Sequence, residues 1–84
     1  MDWDVTDVQI VDHGVLRVRF RDGTEGRVRF ADSAFSGVFA KLRDPLEFDK
    51  AFIDGYFVSW PGQLDLAPDA MHAAIRSTGE CVLA

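Results

Sequence analysis

Apolar positions in the first third of the chain recur at every second residue. Leu16, Val18 and Phe20 alternate with Arg17 and Arg19, the period-2 pattern of a half-buried strand. This spacing predicts strands over 3–11, 15–20 and 24–30. Within the first, Trp3, Val5, Val8 and Ile10 change phase between Val5 and Val8, which predicts a bulge or an edge position. Asp12-His13-Gly14 and Arg21-Asp22-Gly23 separate the strands. The inward positions Ile10, Leu16, Val18, Phe20, Val28 and Phe30 are all even-numbered. Antiparallel partners on one face then require loops of odd length, and three-residue loops closing on glycine supply them. The resulting register pairs Ile10 with Leu16, Val8 with Val18 and Leu16 with Val28. On the outer face it sets Asp7 opposite Arg19 and Arg19 opposite Glu25, cross-strand pairs of opposite charge.

The pattern then changes period. Phe35, Val38, Phe39 and Leu42 form an i, i+3, i+4, i+7 stripe that predicts an amphipathic helix over 34–43. Asp32 or Ser33 stands where a cap is needed. Gly37 weakens the early turns, and Pro45 ends the helix by excluding helical geometry at Asp44. Residues 51–53 and 56–60 flank Asp54-Gly55, a favoured hairpin turn, and leave both faces of that hairpin largely apolar. Leu64 and Leu66 suggest a short bridge back to the sheet. Pro68 opens a last helix, with Met71, Ala74 and Ile75 inward and Gly79 as its stop. Residues 80–84 form either a last strand or a frayed tail. The fold class is α+β: an antiparallel meander of three N-terminal strands plus a β-hairpin, with two short amphipathic helices packed against the sheet. The chain reads as a single compact domain over 1–84.

Composition narrows the function classes. Of 84 residues, 48% are hydrophobic and seven are Phe, enough for an autonomous core. Cys81 is the single cysteine, so no intrachain disulfide contributes. Met1-Asp2-Trp3-Asp4 lacks the basic and apolar regions of a secretory signal, and no apolar run approaches the roughly 20 residues of a bilayer span. The expectation is a cytoplasmic protein with no membrane partner. A formal net charge of −5 disfavours nucleic acid and suits a basic partner, or solubility alone.

Two constellations stand out. Arg17, Arg19, Arg27 and Arg29 share the outer face of the meander, with Arg21 at its rim. Asp7 and Glu25 are placed to neutralise Arg19, which leaves Arg17, Arg27 and Arg29 as an anion-binding patch or a solvated face of long side chains. Tyr56, Phe57 and Trp60 are either core or contact surface, and such a hairpin also suits a homodimer. Tyr56 and Trp60 therefore join Arg17, Arg27 and Arg29 as candidate binding residues. His13 in a turn and His72 in a helix read as surface residues. No histidine, cysteine or carboxylate spacing matches a metal site. No nucleophile–base pair and no phosphate loop is visible. The reading is therefore no enzyme, no cofactor and no metal.

Phe20-Arg21-Asp22-Gly23, the run Gly37 to Asp44 followed by Phe48, and above all Trp60-Pro61-Gly62-Gln63-Leu64-Asp65-Leu66-Ala67-Pro68-Asp69 resemble the short bacterial family catalogued as domain of unknown function 2442. The resemblance spans Val5 to Ile75. In that family a polar residue and then glycine follow the Trp-Pro pair; here Gly62 comes first and Gln63 second. The resemblance implies a compact α+β fold and supplies no activity. Some members are fused to a helix-turn-helix domain, and others occur beside a second small family in a toxin–antitoxin-like arrangement. The motif suggests packing of Trp60 between the hairpin and the last helix, with Asp65 capping or bracing the turn before Pro68. The leading expectation is a protein-interaction module, antitoxin-like or an adaptor for a small, basic protein. The alternative is a nucleic-acid-associated regulator using the arginine face, and a small enzyme ranks third.

Overall fold

The computed structural model describes residues 1–84. Strands β1 (Val5–Asp12), β2 (Val15–Phe20) and β3 (Glu25–Phe30) form the expected antiparallel meander. Its register pairs Ile10 with Leu16, Val8 with Val18, Asp7 with Arg19, Leu16 with Val28 and Arg19 with Glu25. Gly14 and Gly23 close the two turns at φ +80° and +88°; Arg21-Asp22-Gly23 follows the odd-loop argument, whereas Asp12 pairs with Val15 and leaves only His13-Gly14 between the first two strands. The phase slip in β1 is a bulge between Val5 and Asp7. It lets Val5, Val8 and Ile10 all reach the core side. A second irregularity lies between Ile10 and Asp12, where the strand runs on into the turn.

The segment expected to be one helix over 34–43 is instead two 3₁₀ helices, Asp32–Ala34 and Gly37–Arg43. Ser36 is extended at φ −139°, ψ 167° and Gly37 takes φ +57°, so the chain breaks there. With three residues per turn, Phe39 and Leu42 fall on one line and point inward. Val38, assigned to the inner stripe, is 71% exposed. Asp32 and Ser33 make no capping bond; Asp32 accepts from Arg43 Nη1. Pro45 ends the second 3₁₀ helix and also opens α1 (Pro45–Phe48), capped by Asp44 Oδ1 on the Leu46 amide at 3.0 Å.

A second sheet holds β4 (Phe52–Asp54), β5 (Phe57–Trp60) and β6 (Leu64–Asp65), in that order. Asp54 pairs with Phe57, so the turn is Gly55-Tyr56, one residue later than expected. β6 pairs with β5 rather than with the meander. Helix α2 (Pro68–Thr78) begins at proline and ends on Gly79, and the remaining chain is the strand β7 (Glu80–Leu83), parallel to β3 at the sheet edge. The main sheet order is thus β1-β2-β3-β7.

The core lies between the inward face of this sheet and everything after β3. Phe30 is its hub: Phe35, Phe39, Phe48 and Trp60 surround it at 5.4–6.0 Å between centroids, mostly edge to face, the favoured geometry for aromatic pairs. No helix is long and apolar enough to cross a membrane.

Candidate interaction surfaces

The outer face of the main sheet is uncovered, and its register fixes a grid of charge. One row runs Gln9, Arg17, Arg27, Glu80; the next runs Asp7, Arg19, Glu25. The expected neutralisation of Arg19 does not occur, because the long side chains reach diagonally. Arg17 takes Gln9 Oε1 at 2.7 Å and Glu25 at 3.8 Å. Arg29 Nη2 lies 3.0 Å from Glu80 Oε1, an atom shielded from solvent and out of line for a hydrogen bond. Arg19 and Arg27 have no carboxylate within ion-pair reach. Of the three candidate arginines only Arg27 is thus unpaired, and it lies directly across from Arg17, where like charges oppose each other.

The second candidate surface divides. Trp60 is 1% exposed, so it is core and not a contact residue. Its indole N–H donates to the Phe48 carbonyl at 2.8 Å. It packs on Phe30, Phe39 and Phe48, which belong to β3, the second 3₁₀ helix and α1, within the core cluster that also holds Met71 and Ile75 of α2. Tyr56 is 52% exposed at the hairpin turn, edge-on to Phe57. The one-residue shift of that turn decides which side chains share its outer face. Ile53 and Val58 turn to the core, while Phe52, Asp54, Phe57 and Asp65 lie on the outer side of the small sheet. Phe52, 43% exposed, was not singled out from sequence; strict period-2 counting from Ile53 would have found it.

Asp65 accepts from the Ser59 hydroxyl at 2.7 Å and so braces β5 against β6, not the turn before Pro68. It also stands between two hollows. One, of about 330 Å³, is lined by Tyr56, Phe57, Leu66 and Pro68 among others. The other, of about 370 Å³, lies between Phe30, Phe39, Leu66 and Leu83. Asp65 is the one charged side chain lining either, and no cation lines them.

Both histidines are integrated into the fold. His13 stacks on Phe35 at 5.3 Å, and its Nε2–H donates to the Leu42 carbonyl at 3.0 Å. His72 is buried, and its Nε2–H donates to Asp22 Oδ2 at 2.8 Å, tying α2 to the β2–β3 turn. The Thr24 amide on Oδ1, followed by the His72 bond, holds the Asp22 carboxyl down at about 2. An Asp with a depressed folded-state value stabilises the fold above its unfolded value of about 3.9 and loses that contribution as pH falls toward 2. The Asp22 contribution to stability should therefore begin to fall below about pH 4, fall most steeply midway between the two values and level off below about pH 2. Asp22→Asn should flatten that part of a stability–pH curve measured by denaturant melts. Burial pushes the Cys81 thiol up, which makes it a poor nucleophile. No cluster of His, Cys, Asp or Glu is arranged to hold a metal ion.

The family described as Protein of unknown function (DUF2442) matches residues 5–77. The chain belongs to this family. No curated protein and no solved structure matches it. The DUF2442 motif from Trp60 to Pro68 has a visible structural purpose: it buries the tryptophan, turns at Pro61-Gly62-Gln63 and builds the wall Asp65-Leu66-Ala67 shared by both hollows. Within that turn Gln63 takes φ +64°, a left-handed conformation that costs a residue with a Cβ about 1–2 kcal/mol. This is the position where the family pattern places glycine. Gly62, at φ +96°, sits against Lys41 Nζ, which donates to the Pro61 carbonyl at 2.7 Å. Gln63→Gly should relieve the strain and, after the added freedom of the unfolded chain, raise stability by about 0.5–1 kcal/mol in a urea melt.

Proposed function

We propose that this chain is a non-catalytic protein-interaction module that binds a small basic protein through the outer face of its small sheet. The observation that carries this is the aromatic surface made by Phe52, Tyr56 and Phe57 beside an apolar hollow whose one charge is the Asp65 carboxylate. Exposed aromatics next to a groove concentrate binding energy, and acidic surroundings select a cationic partner and speed encounter. The net charge of −5 acts in the same direction. Such a module would act as an adaptor or in an antitoxin-like role, in the cytoplasm. The alternative, binding of nucleic acid by the arginine face, has less support. Asp7, Glu25 and Glu80 interleave with the arginines, and no aromatic side chain shares their rows for base stacking.

The test compares tagged wild-type chain with a Phe52→Ser, Tyr56→Ala double variant, each folded as judged by circular dichroism. A stoichiometric small basic protein retained by the wild type and lost from the variant is the expected result. Equal retention by both, or no retained partner, overturns the proposal.

A further inference from the structure

The two edges of the main sheet differ in character. β1 carries two irregularities and the carboxylates Asp7 and Asp12, features that discourage a strand edge from pairing. β7 has no such protection over Cys81-Val82-Leu83 and pairs regularly with β3. Arg27 N–H donates to the Gly79 carbonyl and Ala31 N–H to the Leu83 carbonyl. In a parallel ladder of this phase the main-chain groups of Cys81 and Leu83 turn to β3, and those of Glu80 and Val82 turn to the open edge. The Thr78 hydroxyl takes up the Glu80 carbonyl at 3.0 Å. Val82 presents its backbone outward and its side chain is 57% exposed.

At the end of the same strand, Leu83 and Ala84 form one wall of the 370 Å³ hollow, with Phe39 and Leu66 across from them. An unguarded edge beside an apolar hollow is what strand addition uses. Main-chain bonds supply affinity, and alternate side chains entering a pocket supply specificity.

We infer that β7 accepts an extended segment of the partner as a fifth strand of the main sheet. The segment places an apolar side chain in the hollow against Phe39 and Leu66, and a lysine or arginine against Asp65. This rests on the interaction-module reading and adds a second contact for the same partner, at the β7 edge beyond the outer face of the small sheet, with the conformation in which it binds there. A second copy of this chain is a poorer occupant, because its own Cys81-Val82-Leu83 carries no cation to meet Asp65.

The test is an amide NMR titration of the full-length chain with two short capped peptides, one alternating valine with lysine and one alternating valine with glutamate. The lysine peptide should shift Val82, Leu83 and Leu66, slow exchange of the Val82 amide, and bind at least about tenfold more tightly than the glutamate peptide, the effect of one well-placed charge pair. Asp65→Asn, which keeps an acceptor for Ser59, should erase most of that difference. Shifts confined to Phe52–Phe57, with β7 unmoved, overturn strand addition and leave the interaction reading standing. Equal binding of the two peptides overturns the charge assignment. Silence of both surfaces at millimolar peptide overturns both readings.

Discussion

Trp60→Ala should leave the domain largely unfolded. The ring is 1% exposed and touches Phe30, Phe39 and Phe48 at 5.9–6.4 Å between centroids. Removing an indole from such a site costs about 3–5 kcal/mol. The Phe48 carbonyl also loses the indole N–H and keeps only the Ala51 amide at 3.3 Å, the lost hydrogen bond adding about 0.5–1.5 kcal/mol. A domain of this size has only roughly 4–12 kcal/mol in hand. Guanidinium melts followed by circular dichroism should show a transition shifted toward zero denaturant, or no transition. Trp60→Phe separates the two causes. It keeps most of the packing and loses the hydrogen bond, so it should fall between wild type and alanine. A melt unchanged by Trp60→Ala would mean that the ring is not core.

The second large effect is expected at Gly26. This residue lies on β3 opposite Val18, where the end of α2 crosses the sheet. A Cβ built there would stand 2.5 Å from the Gly79 carbonyl oxygen and 2.5 Å from Ile75 Cγ2. The carbonyl belongs to the residue that ends α2, and Gly79 N–H is bonded to the Ile75 carbonyl at 2.7 Å, so neither can move alone. Gly26→Ala should therefore cost about 3 kcal/mol, the upper end of overpacking penalties. Gly23→Ala makes a useful contrast. Nothing lies within 4 Å of its Cβ position and its φ is +88°, so backbone strain alone acts there, at about 1–2 kcal/mol. Chemical melts of the two variants should differ in that order. A reversed order would show that α2 packs elsewhere.

Much of the fold was legible in local pattern because local pattern caused it. The meander rests on period-2 alternation and on turn chemistry at Gly14 and Gly23, both properties of a few adjacent residues. Helix α2 carries its own start and stop in Pro68 and Gly79. The segment 34–43 forms 3₁₀ turns rather than the expected helix because its apolar spacing satisfies both 3.6- and 3-residue periods over a single turn. Leu42 is fully buried and Phe39 partly so, while Val38 is not; the break at Ser36-Gly37 selects between the two. The hairpin turn was displaced by one residue because Asp54-Gly55 and Gly55-Tyr56 are both acceptable turns locally. The choice follows from burying Val58 and Trp60 on one side.

The candidate surfaces divide the same way. That Arg17, Arg19, Arg27 and Arg29 share a face follows from alternation alone. Which of them is neutralised depends on diagonal reach and on Glu80, a residue brought alongside Arg27 only when β7 joins the sheet. Tyr56 and Phe57 were visible as aromatics at a turn. The Asp65-Leu66-Ala67 wall, the hollows on either side of it and the open edge at Val82 were not, because each combines segments far apart in the chain. By itself, the sequence determined the first three strands, the last helix, the meander register and the family, since these follow from near neighbours and from motif order. Only the tertiary structure decided that Trp60 is core, that the 80–84 segment is an edge strand, and that Asp65 serves two hollows. Burial and charge pairing across a sheet are properties of the packed chain, and no short window of residues contains them.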